Sequence, residues 1–418
     1  MNLPKRKKHI FLMLTALCLS AALGLCGCYT FEINGIKSTH VNEDGDLIVT
    51  YFNGRKENAG SVKDADKGID GGNANNNITI NSQGGSDLSL ATAKGLMSTV
   101  RVISKYASSL SQSAGVIYKL DKSAGDAYII TNYHAVANSE NGISDNISVF
   151  IYGSEINDLA ISADYVGGSM YYDIAVLKIK NSDILKASDA VSVEVADADN
   201  VFVGESAIAI GNPEGYGISA TCGVISVDSE NINIAVEDGT EVSFRVMRID
   251  TAINHGNSGG GLYNTKGELI GIVNAKTSDT SIENIAFAIP VSIATAVADS
   301  ILDHPDHHTL QRALLGITVQ STDSKAVYNT ENGRVSIVET VKVVDVNSDS
   351  VAENVLLSGD ILKKVSIGER ECNITRSYHI VDFMLTARVG DTVDLKIERN
   401  GEETTVSFVI TEDCIVSY

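Results

Sequence analysis

The chain is short of proline, of positive charge and of any metal-binding cysteine pattern, and each shortage removes a class of protein. Only 4 prolines accompany 36 glycines in 418 residues that are 44% hydrophobic. That composition reads as globular, and as sheet rather than helical bundle. Lys and Arg total 32 against 53 acidic residues, for a formal net charge of −21. With no basic stripe to neutralise phosphates, a nucleic-acid partner is excluded. The acidity otherwise reads as solubility. Cysteines stand at 18, 26, 28, 222, 372 and 414, with no CxxC and no His–Cys spacing, so no metal and no cofactor is expected. A Cys372–Cys414 pairing across a small domain is one reading of the last two, and buried free thiols the simpler one. At this length, two folded units with appendages are expected.

The first 27 residues stand apart. Lys5, Arg6, Lys7 and Lys8 precede the apolar run Ile10–Leu25 and then small residues, the layout of a signal peptide. Its removal takes away four positive charges and no negative one, which moves the net charge from −21 to −25. The run is 16 residues long, slightly short for a membrane span; an uncleaved anchor is the alternative. Leu25-Cys26-Gly27-Cys28 resembles a bacterial lipobox. The resemblance implies cleavage before Cys28, a diacylglycerol on its sulfur, and a location on the extracytoplasmic face of a bacterial membrane.

Residues 28–60 form a short β-rich segment, with turn signals at Asp44-Gly45 and Asn53-Gly54 around Leu47–Phe52. Residues 61–87 are rich in Gly, Asn, Asp and Ser and read as a flexible tether. From 88 to 303, ten short apolar runs separated by turn residues predict an all-β barrel or sandwich pair. They include Ala127–Thr131, Ile174–Ile179, Ser206–Ile210 and Leu269–Ala275. Val291–Leu302 predicts a closing helix, broken at His304-Pro305. A second unit spans 311–418, with five strands and helical patches at Ser350–Leu356 and Tyr378–Arg388.

Three motifs carry chemistry. His134 ends the apolar run of Ile129-Ile130-Thr131-Asn132-Tyr133-His134, Asp173 precedes the strand Ile174–Ile179, and Ser258 sits in Gly256-Asn257-Ser258-Gly259-Gly260-Gly261. A serine hydroxyl is a weak nucleophile that needs a base within reach, and the base needs a partner that fixes its tautomer. Histidine titrates near working pH, and a buried carboxylate orients it. Glycines let backbone N–H groups converge on a developing oxyanion, and Gly256 and Ser258 are the expected donors. Each motif alone is weak, but the order His, Asp, Ser within one β-rich unit matches the chymotrypsin chain order.

The region 88–412 resembles the HtrA (DegP/Deg) family of trypsin-fold proteases. Ala209-Ile210-Gly211-Asn212-Pro213, Ile249-Asp250-Thr251-Ala252-Ile253-Asn254 and Ala286-Phe287-Ala288-Ile289-Pro290 extend the likeness beyond the triad. The resemblance implies a mainly β fold: two six-stranded barrels with the site between them. It also implies endoproteolysis of misfolded or exposed polypeptides, Ile253 in the primary specificity pocket, and a homotrimer. Two positions depart from the family: Gly261 stands where proline is usual, and His255 where Pro or Arg is common. Both are expected to loosen the oxyanion loop, His255 as an exposed loop residue.

Gln311-Arg312-Ala313-Leu314-Leu315-Gly316-Ile317 resembles the carboxylate-binding opening of a PDZ domain. The resemblance implies that Leu314, Leu315, Gly316 and Ile317 receive a peptide C-terminus by β-augmentation, with Arg312 adding charge. The expected protein is therefore a membrane-tethered quality-control endopeptidase with a PDZ domain. A dedicated processing or signalling protease, or a peptide-binding holdase with a latent protease, are the alternatives.

Overall fold

The computed structural model describes residues 36–41, 46–51, 54–61, 86–153, 159–197, 201–235, 239–275 and 285–418. The expected signal peptide, Cys28 and most of the tether lie outside them. Among the described residues no helix is long and apolar enough to cross a membrane. Near the N-terminus, β1 (Ile36–Val41), β2 (Asp46–Tyr51) and β3 (Lys56–Ser61) form an antiparallel meander, a compact unit of its own.

The larger unit opens with helix α1 (Ser86–Ser98), which starts inside the expected tether. The first barrel then closes from β4 (Thr99–Lys105), β5 (Leu110–Asp121), β6 (Asp126–Thr131), β9 (Asn146–Ile151), β10 (Ile161–Ser169) and β11 (Ile174–Ile179). The short pair β7 (Ala137–Asn138) and β8 (Gly142–Ile143) lies between β6 and β9. Alternation explains why β6 and β11 are apolar throughout. Ile129, Ala175, Leu177 and Ile179 fill the barrel interior, while Ile130, Ile174 and Val176 point outward into a second cluster. That second cluster also takes Ile208 and Ile210 from the next barrel, so both faces of these strands are buried.

After the one-turn helix α2 (Asp183–Ala187), the second barrel closes from six strands. They are β12 (Ser206–Gly211), β13 (Ser219–Ala235), β14 (Glu241–Ile249), β15 (Gly261–Tyr263), β16 (Leu269–Asn274) and β17 (Ala286–Pro290). Helix α3 (Val291–Asp303) buries Val291, Ile293, Ala294, Val297 and Ile301 in the cluster between the barrels. Two barrels joined across one apolar seam are a trypsin-like arrangement, as expected.

The second domain has β18 (Gln311–Ala313), β19 (Ile317–Asn329), β20 (Arg334–Val346), β21 (Ile361–Ile367), β22 (Arg370–Asn373), β23 (Thr392–Arg399), β24 (Glu402–Val409) and β25 (Ile415–Ser417). One sheet runs β19-β20-β21-β23-β24, with β22 beside β21, and β18 pairs with β25. Helix α4 (Ser377–Met384) lies against β19, which is an edge strand. The expected helix at Ser350–Leu356 is instead a series of turns. Asn354 has φ 64°, and one left-handed residue ends an α-helix. Cys222, Cys372 and Cys414 are all free; only Cys414 is buried and Cys222 is exposed.

Candidate active site

The site lies where the barrels meet. β6 delivers His134 on a single 3-10 turn, Tyr133–Ala135. The turn between β10 and β11 delivers Asp173, whose φ of 51° is left-handed, a conformation that Asp tolerates better than most residues. His134 Nδ1 donates to Asp173 Oδ2 at 2.7 Å, and the His134 backbone N–H donates to Oδ1 at 3.0 Å. An ionised carboxylate only accepts, so the Nδ1 proton is held there and Nε2 keeps its lone pair. Asp173 is 2% exposed. Burial of this charge is offset by a further donor, Asn274 Nδ2 to Oδ2 at 2.9 Å, while Asn132 Nδ2 satisfies the Asp173 backbone carbonyl at 2.8 Å.

Ser258 comes from the second barrel, on the loop between β14 and β15. Its carbonyl accepts from Ala114 N–H of β5 at 2.8 Å, so the nucleophile loop is stitched to the barrel that carries the histidine. Its Oγ accepts from Ala275 N–H at 3.3 Å, and no hydrogen bond joins it to His134.

The loop's own bonds orient the two expected oxyanion donors. The His255 carbonyl accepts from Glu214 N–H at 2.7 Å and the Gly256 carbonyl from Asn212 N–H at 3.2 Å. A trans peptide points its C=O and N–H in opposite directions, so the Gly256 N–H faces away from Glu214. Among the described residues neither the Gly256 nor the Ser258 N–H has an acceptor. Gly256 has φ 94°, and a Cβ there would strike the Asn212 carbonyl oxygen. Only glycine fits.

Both departures from the family pattern have a defined place in the structure. His255 is exposed, as expected, and its carbonyl accepts from Glu214 N–H. Gly261 pairs with Ile210 on one side and Ile272 on the other. The ring of Tyr263 occupies the space where its side chain would be, and the Tyr263 hydroxyl bonds to Ser98 at 3.1 Å and Thr99 at 2.8 Å. Burial pushes that hydroxyl's pKa up to about 12. Ile253 is half-buried against the interior of the second barrel.

In the second domain the structure separates the four expected peptide-binding residues. The Leu314 N–H is already spent on the Cys414 carbonyl at 2.8 Å, which takes it out of any carboxylate site. Leu315 and Gly316 have N–H groups without an acceptor among the described residues, and Ile317 begins the edge strand β19. Arg312, expected to add charge to that opening, instead lies over the ring of Tyr418 at 5.9 Å.

Asn274 and Asn132 escaped the sequence reading. Asn274 closes the apolar strand β16 and Asn132 follows β6, and both are fully buried; an asparagine ending an apolar run was the available signal in the sequence.

The fold and the site define a trypsin-like serine endopeptidase with a second, appended β domain. Residues 114–272 match the trypsin-like peptidase domain family and residues 313–410 the PDZ domain family. The serine protease Do-like HtrA of Lactococcus lactis subsp. cremoris is 30% identical over 312 residues, 72% of this chain and 71% of that protein. The serine protease Do-like HtrA of Bacillus subtilis is 32% identical over 301 residues, 70% of this chain and 62% of that protein. Among solved structures, the HtrA-type protease AlgW with tripeptide has a TM-score of 0.51 at 25% identity, covering 78% of this chain and 96% of that one. The chain belongs to the HtrA family of serine proteases.

Proposed function

We propose that this endopeptidase cleaves exposed or misfolded polypeptides on the outer side of a membrane, with Ser258, His134 and Asp173 as its catalytic triad. The observation that carries it is the Asp173–His134 bond at 2.7 Å, beside a serine flanked by two unengaged N–H groups. Ser258 Oγ attacks the scissile carbonyl while His134 Nε2 takes its proton. Gly256 and Ser258 N–H receive the oxyanion, and His134 returns the proton to the leaving amine. Water then releases the acyl group by the same route. Ile253 lines the pocket for the residue before the cut. A lipid on Cys28 and residues 61–87 hold the enzyme on the membrane, and the PDZ groove beside β19 takes a peptide C-terminus.

Latency in the resting state is the second reading, favoured by the Ser258 Oγ–Ala275 bond and the missing bond to His134. Apo sites of this kind often tighten only with substrate bound. Labelling with a fluorophosphonate tests the assignment, with Ser258→Ala as control. Labelling of wild type alone is expected; equal labelling of both would sink it. Mass spectrometry of the mature N-terminus tests the lipid, and an unmodified Cys28 rejects it.

A further inference from the structure

We infer that the segment joining the two domains, through Arg312 and Tyr418, positions Asp173, so that the second domain is part of the support of the catalytic acid. This rests on Asp173 being the triad acid. Asp173 holds a left-handed φ, a conformation that its surroundings must help to maintain. Asn132 and Asn274 constrain Asp173 from within the two-barrel unit. From outside, the domain linker does.

The linker lies directly on β10, the strand that leads into the Asp173 turn. Gly168 N–H donates to the His308 carbonyl at 3.0 Å, His308 Nδ1 donates to the Val166 carbonyl at 2.6 Å, and Gly168 bridges to Thr309. A Cβ at Gly167 would come within 2.8 Å of the His308 backbone, and one at Gly168 within 2.8 Å of the Tyr133 ring, next to His134. Gly167 therefore admits the linker, and Gly168 the Tyr133 ring, at a distance that a side chain would block. Leu310 is fully buried in the cluster between the barrels and exchanges backbone hydrogen bonds with Tyr418 at 3.2 and 2.9 Å. The pairing of β18 with β25 fixes Arg312 opposite Val416.

From there the contact reaches the turn itself. The Tyr418 ring meets Tyr171 edge-on at 5.4 Å, with the Arg312 guanidinium 5.9 Å from the Tyr418 centroid. Tyr171, Tyr172, Arg312 and Tyr418 share the wall of one cavity of about 460 Å³. Burial pushes the Tyr172 hydroxyl up and the adjacent Arg312 charge pulls it partly back. Tyr172 directly precedes Asp173 in the chain, so the contact ends one residue from the carboxylate.

The test uses the full chain and a short internally quenched peptide, too small to reach both the groove and Ser258. Arg312→Met and Tyr418→Leu are each expected to lower kcat roughly tenfold with KM changed less than about twofold, since a small misplacement of a catalytic group is felt in the chemical step. The double variant loses less than the product of the two, because both act through one contact. Arg312→Lys restores most of the rate. Circular dichroism and thermal midpoints identify any variant that simply unfolds, in which case the Arg312→Lys and Tyr418→Leu pair decides. An unchanged kcat on the short peptide, with KM raised only for long substrates, would mean that Arg312 captures peptide ends and would overturn the inference. Full activity in Asp173→Asn would instead overturn the triad assignment beneath it.

Discussion

Asn274, from the second barrel, donates its amide to Asp173 Oδ2 of the first barrel at 2.9 Å, so the acid that orients His134 is itself held from across the seam. Asp173 Oδ2 thus receives His134 Nδ1 and Asn274 Nδ2 together. A carboxylate with both donors in place has little freedom to turn.

Asn274→Ala leaves Oδ2 with one donor in a site that is nearly closed to water. Hydrogen bonds to a charged group contribute about 1.5–3 kcal/mol, so kcat/KM is expected to fall roughly 10- to 100-fold. Steady-state kinetics and the rate of fluorophosphonate labelling check it, and both should drop together.

Asp173→Asn keeps the shape but favours the wrong histidine tautomer. A loss in kcat of about 10⁴-fold is expected, with folding intact. Gly256→Ala is expected to cost roughly 10²–10³-fold, because the added carbon collides with the Asn212 carbonyl and displaces an oxyanion donor. An active Gly256→Ala enzyme would remove that residue from the mechanism.

The domains are joined by Arg245 of β14 and Asp382 of α4, an ion pair whose side chains are 10% and 11% exposed. Arg245 also donates to Ser292 Oγ at 3.0 Å and stacks over Tyr378 at 4.1 Å. Asp382→Ala strands a buried guanidinium and is expected to destabilise by about 3 kcal/mol; Arg245→Met with Asp382→Leu is expected to cost far less. A double-mutant cycle by thermal unfolding separates the two terms.

Asp360 contributes an acid-sensitive, partner-held carboxylate to the second domain. Burial raises its pKa, but Arg399 Nε and Nη2, both at 2.7 Å, and the Leu357 N–H at 2.8 Å more than offset this and hold it below the usual carboxylate range. The unfolded chain therefore takes up this proton at a higher pH than the folded one. The stabilisation is complete above the unfolded value, about 4, and is lost as pH falls through the lower folded value. Thermal unfolding followed downward from neutral pH should show this loss, and Asp360→Asn should remove its share of the slope.

Much of the architecture was legible because each barrel strand buries at least one face. Ala127–Thr131, Ile174–Ile179 and Ser206–Ile210 are apolar runs that sheet pairing alone can bury at that length. Strand β10, Ile161–Ser169, was not: Ser162, Asp164 and the Gly167-Gly168 pair interrupt its pattern, and it pairs because β9 and β11 lie on either side. Helix α1 was hidden because its stretch is only weakly amphipathic and its first two residues fall within the expected tether. The Ser350–Leu356 expectation failed on one residue, Asn354.

The sequence by itself singled out His134, Asp173 and Ser258 as the candidate triad, through three local patterns that are weak one by one and persuasive in their order. It also determined a mainly β unit, barrel or sandwich pair, through runs whose length and polarity admit strands and little else; the two-barrel plan came from the family resemblance. Only the tertiary structure decided what supports the acid. Asn274 lies 101 positions from Asp173 in the chain, and the linker reaches β10 by a glycine-permitted contact. It also decided that the Leu314 N–H belongs to Cys414 and that Arg312 faces Tyr418. Hydrogen bonds and ring contacts are made at distances of a few ångströms, and such proximity is a property of the folded chain that spacing along the sequence does not encode.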